Sequence, residues 1–238
     1  SLDWTRMPFP NLATPGRWLR LSHVLAGDTP AYGGGVGLKI ETVRSMEKGG
    51  SCNTVSLEFS NHLGSHVDAP RHFVADGMSV DGYAIGNWVF TRPYVADIPA
   101  EESEILDVSR FAAALVGCED ADFLLVRTGF EARRGDEGYW AASPAFDPAV
   151  ADYLVGRLPS LVAVGLDTIS ISSYLHRELG HAAHRAFLGR GFRIFEDLAL
   201  AGAPAAHGLQ FVIALPLLFK NADGAPCTIA GLAADGPE

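Results

Sequence analysis

Three histidines and an aspartate fall within Asn61–Phe73, which reads NHLGSHVDAPRHF. His62, His66 and Asp68 share one parity, so in an extended strand their side chains point to the same face. Gly64 shares that face and would leave open space beside the imidazoles. Two imidazoles and a carboxylate converging on one point suit a borderline divalent cation such as zinc. His72 comes four residues after Asp68, just past Pro70, where the strand should end, and is available for work other than ligation. Gathering such groups together costs free energy unless a metal or hydrogen bonds compensate. A helical reading, with His62 and His66 one turn apart as in zinc proteases, fails on detail. No Glu follows His62, Gly64 interrupts the turn, and Pro70 stops it.

The elements that must position these residues are mostly strands. Trp18–Val24 alternates apolar and polar residues, and Gly37–Val43 follows a turn-rich AGDTPAYGGG segment. Thr54–Phe59 alternates again and leads into the histidine segment. Tyr94–Ile98, Phe123–Arg127 and Leu161–Leu166 read as buried strands. Leu209–Phe219 is apolar but interrupted by Pro216, and Cys227–Leu232 is expected to be the last strand. Helices are expected over Pro148–Leu158, with proline at its start, and over Ala182–Leu188. Residues 131–146 (EARRGDEGYWAASPAF) are polar and glycine-containing, and read as a long loop. The pattern predicts one α/β domain over residues 1–238, built on a β-rich mixed sheet with few helices. Residues 1–17 read as an N-terminal extension and 131–146 as an insertion.

Composition narrows the classes. A chain of 238 residues with 48% hydrophobic residues can bury a large core. A net charge of −10 with only 18 Lys and Arg argues against a nucleic-acid surface. No run approaches the roughly 18–20 apolar residues of a membrane span. Cys52, Cys118 and Cys227 are far apart and lack metal or redox spacing, so no disulfide framework is expected and a reducing cytoplasm is the default. The chain opens at Ser1 without a methionine, which leaves room for a removed N-terminal segment.

A second group of chemically capable residues lies in HRELGHAAHRAFLGRGFRIFEDL, residues 176–198. His181 and His184 share a helix face. In the strand that follows, alternation puts Phe192, Ile194 and Glu196 on one side and Arg193, Phe195 and Asp197 on the other. A carboxylate on an apolar face must be partnered, by an arginine of this stretch or by something functional.

These pieces together carry a resemblance. The first segment is similar to the H-x-G-T-H-x-D-x-P-x-H-F signature of the cyclase superfamily, to which bacterial kynurenine formamidases belong, and matches it at His62, Gly64, His66, Asp68, Pro70, His72 and Phe73. LSHVLAGDTPAY (21–32), VGLDTISIS (164–172), HRAFLGRGFRIFEDL (184–198) and LPLLFKNADGAPC (215–227) resemble further family elements in family order. Ser65 departs from the usual Thr or Ala, and Asp197 stands where Asn or Gly is frequent.

The resemblance implies a swivelling β/β/α fold and a metal centre held by His62, His66, Asp68, His184 and Glu196. Zinc is expected, as one or two ions, with manganese the alternative. It implies His72 as the catalytic histidine and Tyr32 as the aromatic that contacts the substrate ring; with Tyr32, Phe73 and Trp88 are aromatics that could floor a pocket for a flat substrate. A divalent ion lowers the pKa of its water from about 15.7 toward roughly 7, so the expected reaction is hydrolysis by metal-bound hydroxide, with His72 as general base and acid. The leading expectation is a metal-dependent amidohydrolase cleaving an N-acyl aryl amine such as N-formylkynurenine. An isatin-like lactam, a lactone, or polyketide cyclisation follow as alternatives, and a non-catalytic metal- or ligand-binding protein is the contrasting class. The expected partner is a small aromatic amide or lactam, with no nucleic acid or membrane, in a homodimer or homotetramer.

Overall fold

The structure is a computed structural model and describes residues 16–234. Its strands are β1 (Gly16–Arg20), β2 (Lys39–Arg44), β3 (Thr54–Glu58), β4 (His66–Asp68), β5 (Val89–Phe90), β6 (Pro93–Asp97), β7 (Ile105–Leu106), β8 (Phe123–Arg127), β9 (Ala145–Phe146), β10 (Ala163–Leu166), β11 (Arg193–Glu196), β12 (Leu209–Pro216) and β13 (Gly224–Ala234). Its helices are α1 (Val108–Ala114), α2 (Gly138–Ala141), α3 (Ala149–Arg157) and α4 (Arg177–Gly189). The architecture is the mixed, strand-rich α/β fold expected. Most of the expected N-terminal extension, residues 1–15, lies outside the described residues, whereas Gly16 and Arg17 belong to β1 and pair with Ala234 and Ala233.

Nine strands form one sheet in the order β5-β12-β13-β4-β11-β10-β8-β6, with β1 also on β13. Strands β6, β8, β10 and β11 run parallel. Their near-continuous apolar runs, FLLVR and AVGL among them, mark strands buried on both faces. Period-2 alternation divides their side chains between two cores. Leu124, Val126, Val164 and Ile194 meet α1, α3 and α4 through Phe111, Leu154, Ala183 and Phe187. Phe123, Leu125, Ala163 and Phe195 meet Trp88, Phe90, Val212 and Ile229.

The eleven-residue β13 joins the two halves of the sheet. Gly224–Pro226 pair with β4, while Cys227 onward pairs with β12 and its end with β1. This arrangement sets β4 between β11 and β13, antiparallel to both. The two stretches richest in metal-type residues therefore lie on neighbouring strands, with Ile194 opposite Asp68 and Glu196 opposite His66.

Three expectations are corrected. The strand expected from Leu209 to Phe219 stops at Pro216, which lacks the N–H needed to continue the ladder. Helix α4 begins at Arg177, five residues before the expected Ala182. Residues 131–146 are not a long loop: they contain a 3-10 turn, α2 and β9. Phe130 and Tyr139, with Ile169, form a small core of their own there, which buries apolar surface that a polar loop would leave in water.

Candidate metal centre

Only His66–Asp68 of the first motif is extended. Residues 61–65 form a turn, with Gly64 at φ 70°, a left-handed conformation that glycine adopts without steric cost. A Cβ there would lie 2.5 Å from Leu25 Cδ2. Gly64 thus accommodates Leu25 and opens no space beside the histidines, which corrects the one-face reading. Strand geometry places His66 and Asp68, and the turn swings His62 back over them.

The five residues expected to hold a metal come together. His62 Nδ1 lies 2.8 Å from Asp68 Oδ1. His66 Nε2 is 3.4 Å from Asp68 Oδ1 and 3.4 Å from Glu196 Oε2. His184 Nε2 is 3.5 Å from Asp68 Oδ2 and 3.5 Å from Glu196 Oε1. His66 Nδ1 donates to the Gly64 carbonyl at 2.8 Å, and His184 Nδ1 to the Gly180 carbonyl at 2.9 Å. A carbonyl oxygen can only accept, so each ring keeps its Nδ1 hydrogen and turns Nε2 inward, where it can present a lone pair to a cation. Glu196 Oε1 accepts from the Ile171 N–H at 2.7 Å and from Ser170 Oγ at 3.0 Å. No arginine pairs with it among the described residues. His181 stays at the edge, 5.8 Å from the Phe73 ring, so helix α4 sends His184 to the centre.

The site fits a divalent cation on its own geometry. Asp68 is 1% exposed, and its Oδ2 is buried without a hydrogen-bond partner. A carboxylate oxygen so placed costs free energy unless a cation neutralises it. Imidazole nitrogen with carboxylate oxygen is a donor set of the zinc and manganese kind.

Without a cation, protons take its place. Burial opposes a charge on His184, but the hydrogen bonds and charges of Asp68 and Glu196 outweigh it and raise the group to about 10. His66 is raised well above its ordinary value against the same burial penalty. Burial and the charge of Asp68 push Glu196 up, yet its bonds to His184 and His66 bring it down to about 2. The histidines' contribution to the metal-free fold is therefore complete below their unfolded value of 6.5 and is lost as pH rises through their raised values. The contribution of Glu196 is complete above its unfolded value of 4.5 and is lost as pH falls through about 2. A bound metal displaces the protons and gains on them as pH rises. The gap in melting temperature between zinc-loaded and chelated protein is thus expected to widen from pH 6.5 upward, as read by paired thermal melts. A gap that narrows would contradict this charge arrangement.

A cavity of about 220 Å³ opens onto the cluster, lined by Tyr32, His72, Phe73, Ile169, Ser172 and His181 around the metal-type residues. Phe73 stacks on His184 at 4.6 Å and meets His72 edge-on at 4.7 Å. Tyr32 is 36% exposed at the rim and meets Tyr174 edge-on at 5.9 Å. Trp88, in contrast, is buried in the sheet core with Arg193 beneath its ring. A larger groove of about 640 Å³, between Arg20 and Thr228, gathers no carboxylate.

His72 Nε2 lies 3.9 Å from Asp68 Oδ2, and its Nδ1 bonds Asp223 Oδ2 at 3.0 Å. Burial lowers its pKa below 6.5, and the neighbouring charge of Asp68 only partly offsets this. Asp223 also takes His62 Nε2 at 2.9 Å. It was not among the residues expected at the site, although the D-G-x-P portion of the last motif contains it. Gly224, next in the chain, is needed for close approach: a Cβ there would stand 2.3 Å from His62 Cε1.

Residues 131–146 brace the site from outside. Arg134 makes two 2.8 Å bonds to Asp197, and the Tyr139 hydroxyl donates to the same carboxylate at 2.6 Å. Asp197 follows Glu196 directly and sits at φ 54°, a conformation that Asp, Asn and Gly tolerate best.

The model of the Cyclase family ("Putative cyclase") matches residues 19–173. Kynurenine formamidase of Bacillus anthracis is 27% identical over 210 residues, covering 88% of this chain and 94% of that protein. Isatin hydrolase A of Labrenzia aggregata, solved with benzyl benzoate, is similar in structure at a TM-score of 0.78 and 26% identity, covering 92% of this chain and 94% of that one. A second isatin hydrolase, bound to the product analogue thioisatinate, shares the fold at a TM-score of 0.79 and 20% identity, with coverage of 92% and 93%.

Proposed function

Because the chain belongs to the Cyclase family, we propose that it is a metal-dependent hydrolase that cleaves the C–N bond of a small N-acyl aryl amine such as N-formylkynurenine, a reading supported by its likeness to kynurenine formamidase and isatin hydrolase A. The observation that carries the reading is the buried, unpartnered Asp68 Oδ2 facing the inward Nε2 of His184 at the floor of a cavity. His62, His66, Asp68, His184 and Glu196 would hold zinc, as one or two ions, or manganese. When bound, the ion supplies Lewis acidity for the carbonyl and lowers the pKa of water.

The remaining chemistry belongs to side chains. His72 is neutral at pH 7, because burial depresses its pKa, so its Nε2 can take a proton from the attacking water. Protonated, it returns that proton to the leaving nitrogen, which would otherwise depart as an unstable anion. Asp68 and Glu196 balance the positive charge. Phe73 fixes the rings of His72 and His184 by contact. Tyr32 contacts the aromatic part of the substrate at the rim. The cavity of about 220 Å³ falls below the roughly 300–1,000 Å³ of pockets for drug-sized ligands, which supports a small substrate.

The likeness to isatin hydrolase A supports a second reading, the opening of an isatin-like lactam by the same groups. Free Cys52, Cys118 and Cys227 support a cytoplasmic setting. No helix among the described residues is long and apolar enough to cross a membrane. Exposed Leu217, Leu218 and Phe219 support assembly into a homodimer or homotetramer. A panel of formanilides, N-formylkynurenine, isatin and simple lactones, assayed with zinc or manganese, tests the substrate assignment. Formyl aryl amides are expected to have the highest kcat/KM. A preference for lactones over every amide would contradict the assignment.

A further inference from the structure

One oxygen atom outside the expected ligand set touches two of the site's histidines. Asp223 Oδ2 lies 2.9 Å from His62 Nε2 and 3.0 Å from His72 Nδ1. An ionised carboxylate only accepts, so both of those ring atoms carry hydrogens. The opposite nitrogen of each ring faces Asp68: His62 Nδ1, 2.8 Å from Oδ1, also carries a hydrogen until a bound ion displaces it, whereas His72 Nε2, 3.9 Å from Oδ2, is beyond hydrogen-bond distance and keeps its lone pair. The two rings stack at 4.1 Å and 29°, so neither can rotate without displacing the other.

The carboxylate is itself held. Asn61 Nδ2 donates to Asp223 Oδ1 at 2.9 Å and to the Gly224 carbonyl at 2.9 Å, and the Ala69 N–H donates to the Asp223 carbonyl at 2.8 Å. These bonds tie the turn before β13 to the start of the histidine motif and to Ala69, which follows Asp68. The Asp223 side chain is nevertheless 40% exposed. Its bonds thus go to the site's rings where solvent could have satisfied it, which is unlike a carboxylate needed only to fill a core.

We propose that Asp223 is a positioning residue that sets the ring tautomers of His62 and His72 together, linking metal holding to proton transfer through one carboxylate oxygen. The proposal rests on the reading of His62 as a ligand and His72 as the proton carrier. Ligand histidines whose second nitrogen donates to a carboxylate are oriented and made more basic by it. Here the same carboxylate leaves His72 Nε2 free of hydrogen, as a base requires.

The test uses the full chain loaded with zinc and the variant Asp223→Asn, which keeps volume and shape but loses the charge. Long-range ¹⁵N correlation spectra are expected to show wild-type His62 as the Nε2–H tautomer and His72 as the Nδ1–H tautomer. In the variant, His72 is expected to become a mixture. Zinc affinity, from chelator competition, is expected to weaken about 10–100-fold, and kcat at saturating zinc to fall by roughly the same factor, with KM unchanged. Unchanged tautomers and zinc affinity in the variant would overturn the proposal. So would loss of a second equivalent of zinc, since His62, His72 and Asp223 are close enough to ligate one ion themselves. If the variant does not fold, the wild-type spectrum decides, and a wild-type His72 with hydrogen on Nε2 overturns it. A wild-type protein that hydrolyses nothing in the panel defeats the substrate reading, while tautomers and zinc affinity still judge Asp223.

Discussion

Asp68→Ala protein is expected to bind no zinc at micromolar concentrations and to hydrolyse its substrate no faster than background. Asp68 is the centre of the cluster: its two oxygens meet His62, His66 and His184, and it lies opposite Ile194 on the strand that carries Glu196. Burial pushes its pKa up, but the facing imidazoles of His184, His62 and His66 outweigh this and hold it well below the ordinary carboxylate range. Its removal leaves Glu196 alone to balance a divalent charge. Catalysis should fall roughly 10⁴-fold or more, given that enzymes typically accelerate reactions by at least about 10⁶-fold. The fold should survive at neutral pH. His66 and His184 can shed their extra protons and become neutral while still donating Nδ1–H to Gly64 and Gly180. Metal analysis, kinetics and circular dichroism on one preparation check the three parts. A variant that retains a full equivalent of zinc would place the centre elsewhere.

His72→Ala should separate binding from chemistry. Zinc content is expected to match wild type, because five other donors remain, while kcat falls about 10²–10⁴-fold, the usual contribution of a general acid–base group. Removal of the ring also removes the contacts of His62, which stacks on it, and of Phe73, which meets it edge-on. A small loss of melting temperature is therefore expected beside the kinetic one. If turnover persists undiminished with zinc in place, another group moves the proton. If zinc is lost with the ring, His72 belongs to the ligand set, as its proximity to Asp68 and His184 would permit.

Much of this site was legible in the sequence because its elements follow strong local rules. The parallel strands over Phe123–Arg127 and within Leu161–Leu166 are buried and apolar except at Arg127, which ends the first, as expected of strands covered on both faces. His66 and Asp68 share a face because they lie two apart in a true strand. His62 reached the same place by a different route, since periodicity does not reveal that Gly64 turns the chain beneath Leu25. His181, His184 and Glu196 stand out as chemically capable, but only the resemblance chooses His184 and joins it with Glu196 to the first motif, because both lie far from that motif in sequence and reach it through the pairing of β11 with β4 and the packing of α4. Asp223 was missed for a related reason. It sits in a polar turn that looks like any other, and its partners are more than 150 residues away. Residues 131–146 were misread because their charges dominate the composition, whereas buried Tyr139 and the Arg134–Asp197 pair decide their structure. Helix α1 is only seven residues long, and its clearest signal is the Asp107 cap, which accepts from the Ser109 and Arg110 N–H groups.

Dependence of hydrolysis on a cation held between β4 and β11 is read out by titrating metal back into chelated protein. Turnover of the best formyl aryl amide should be undetectable at first and should rise in proportion to bound zinc or manganese until the site is full. Full turnover in protein shown by metal analysis to hold far less than one equivalent would contradict it.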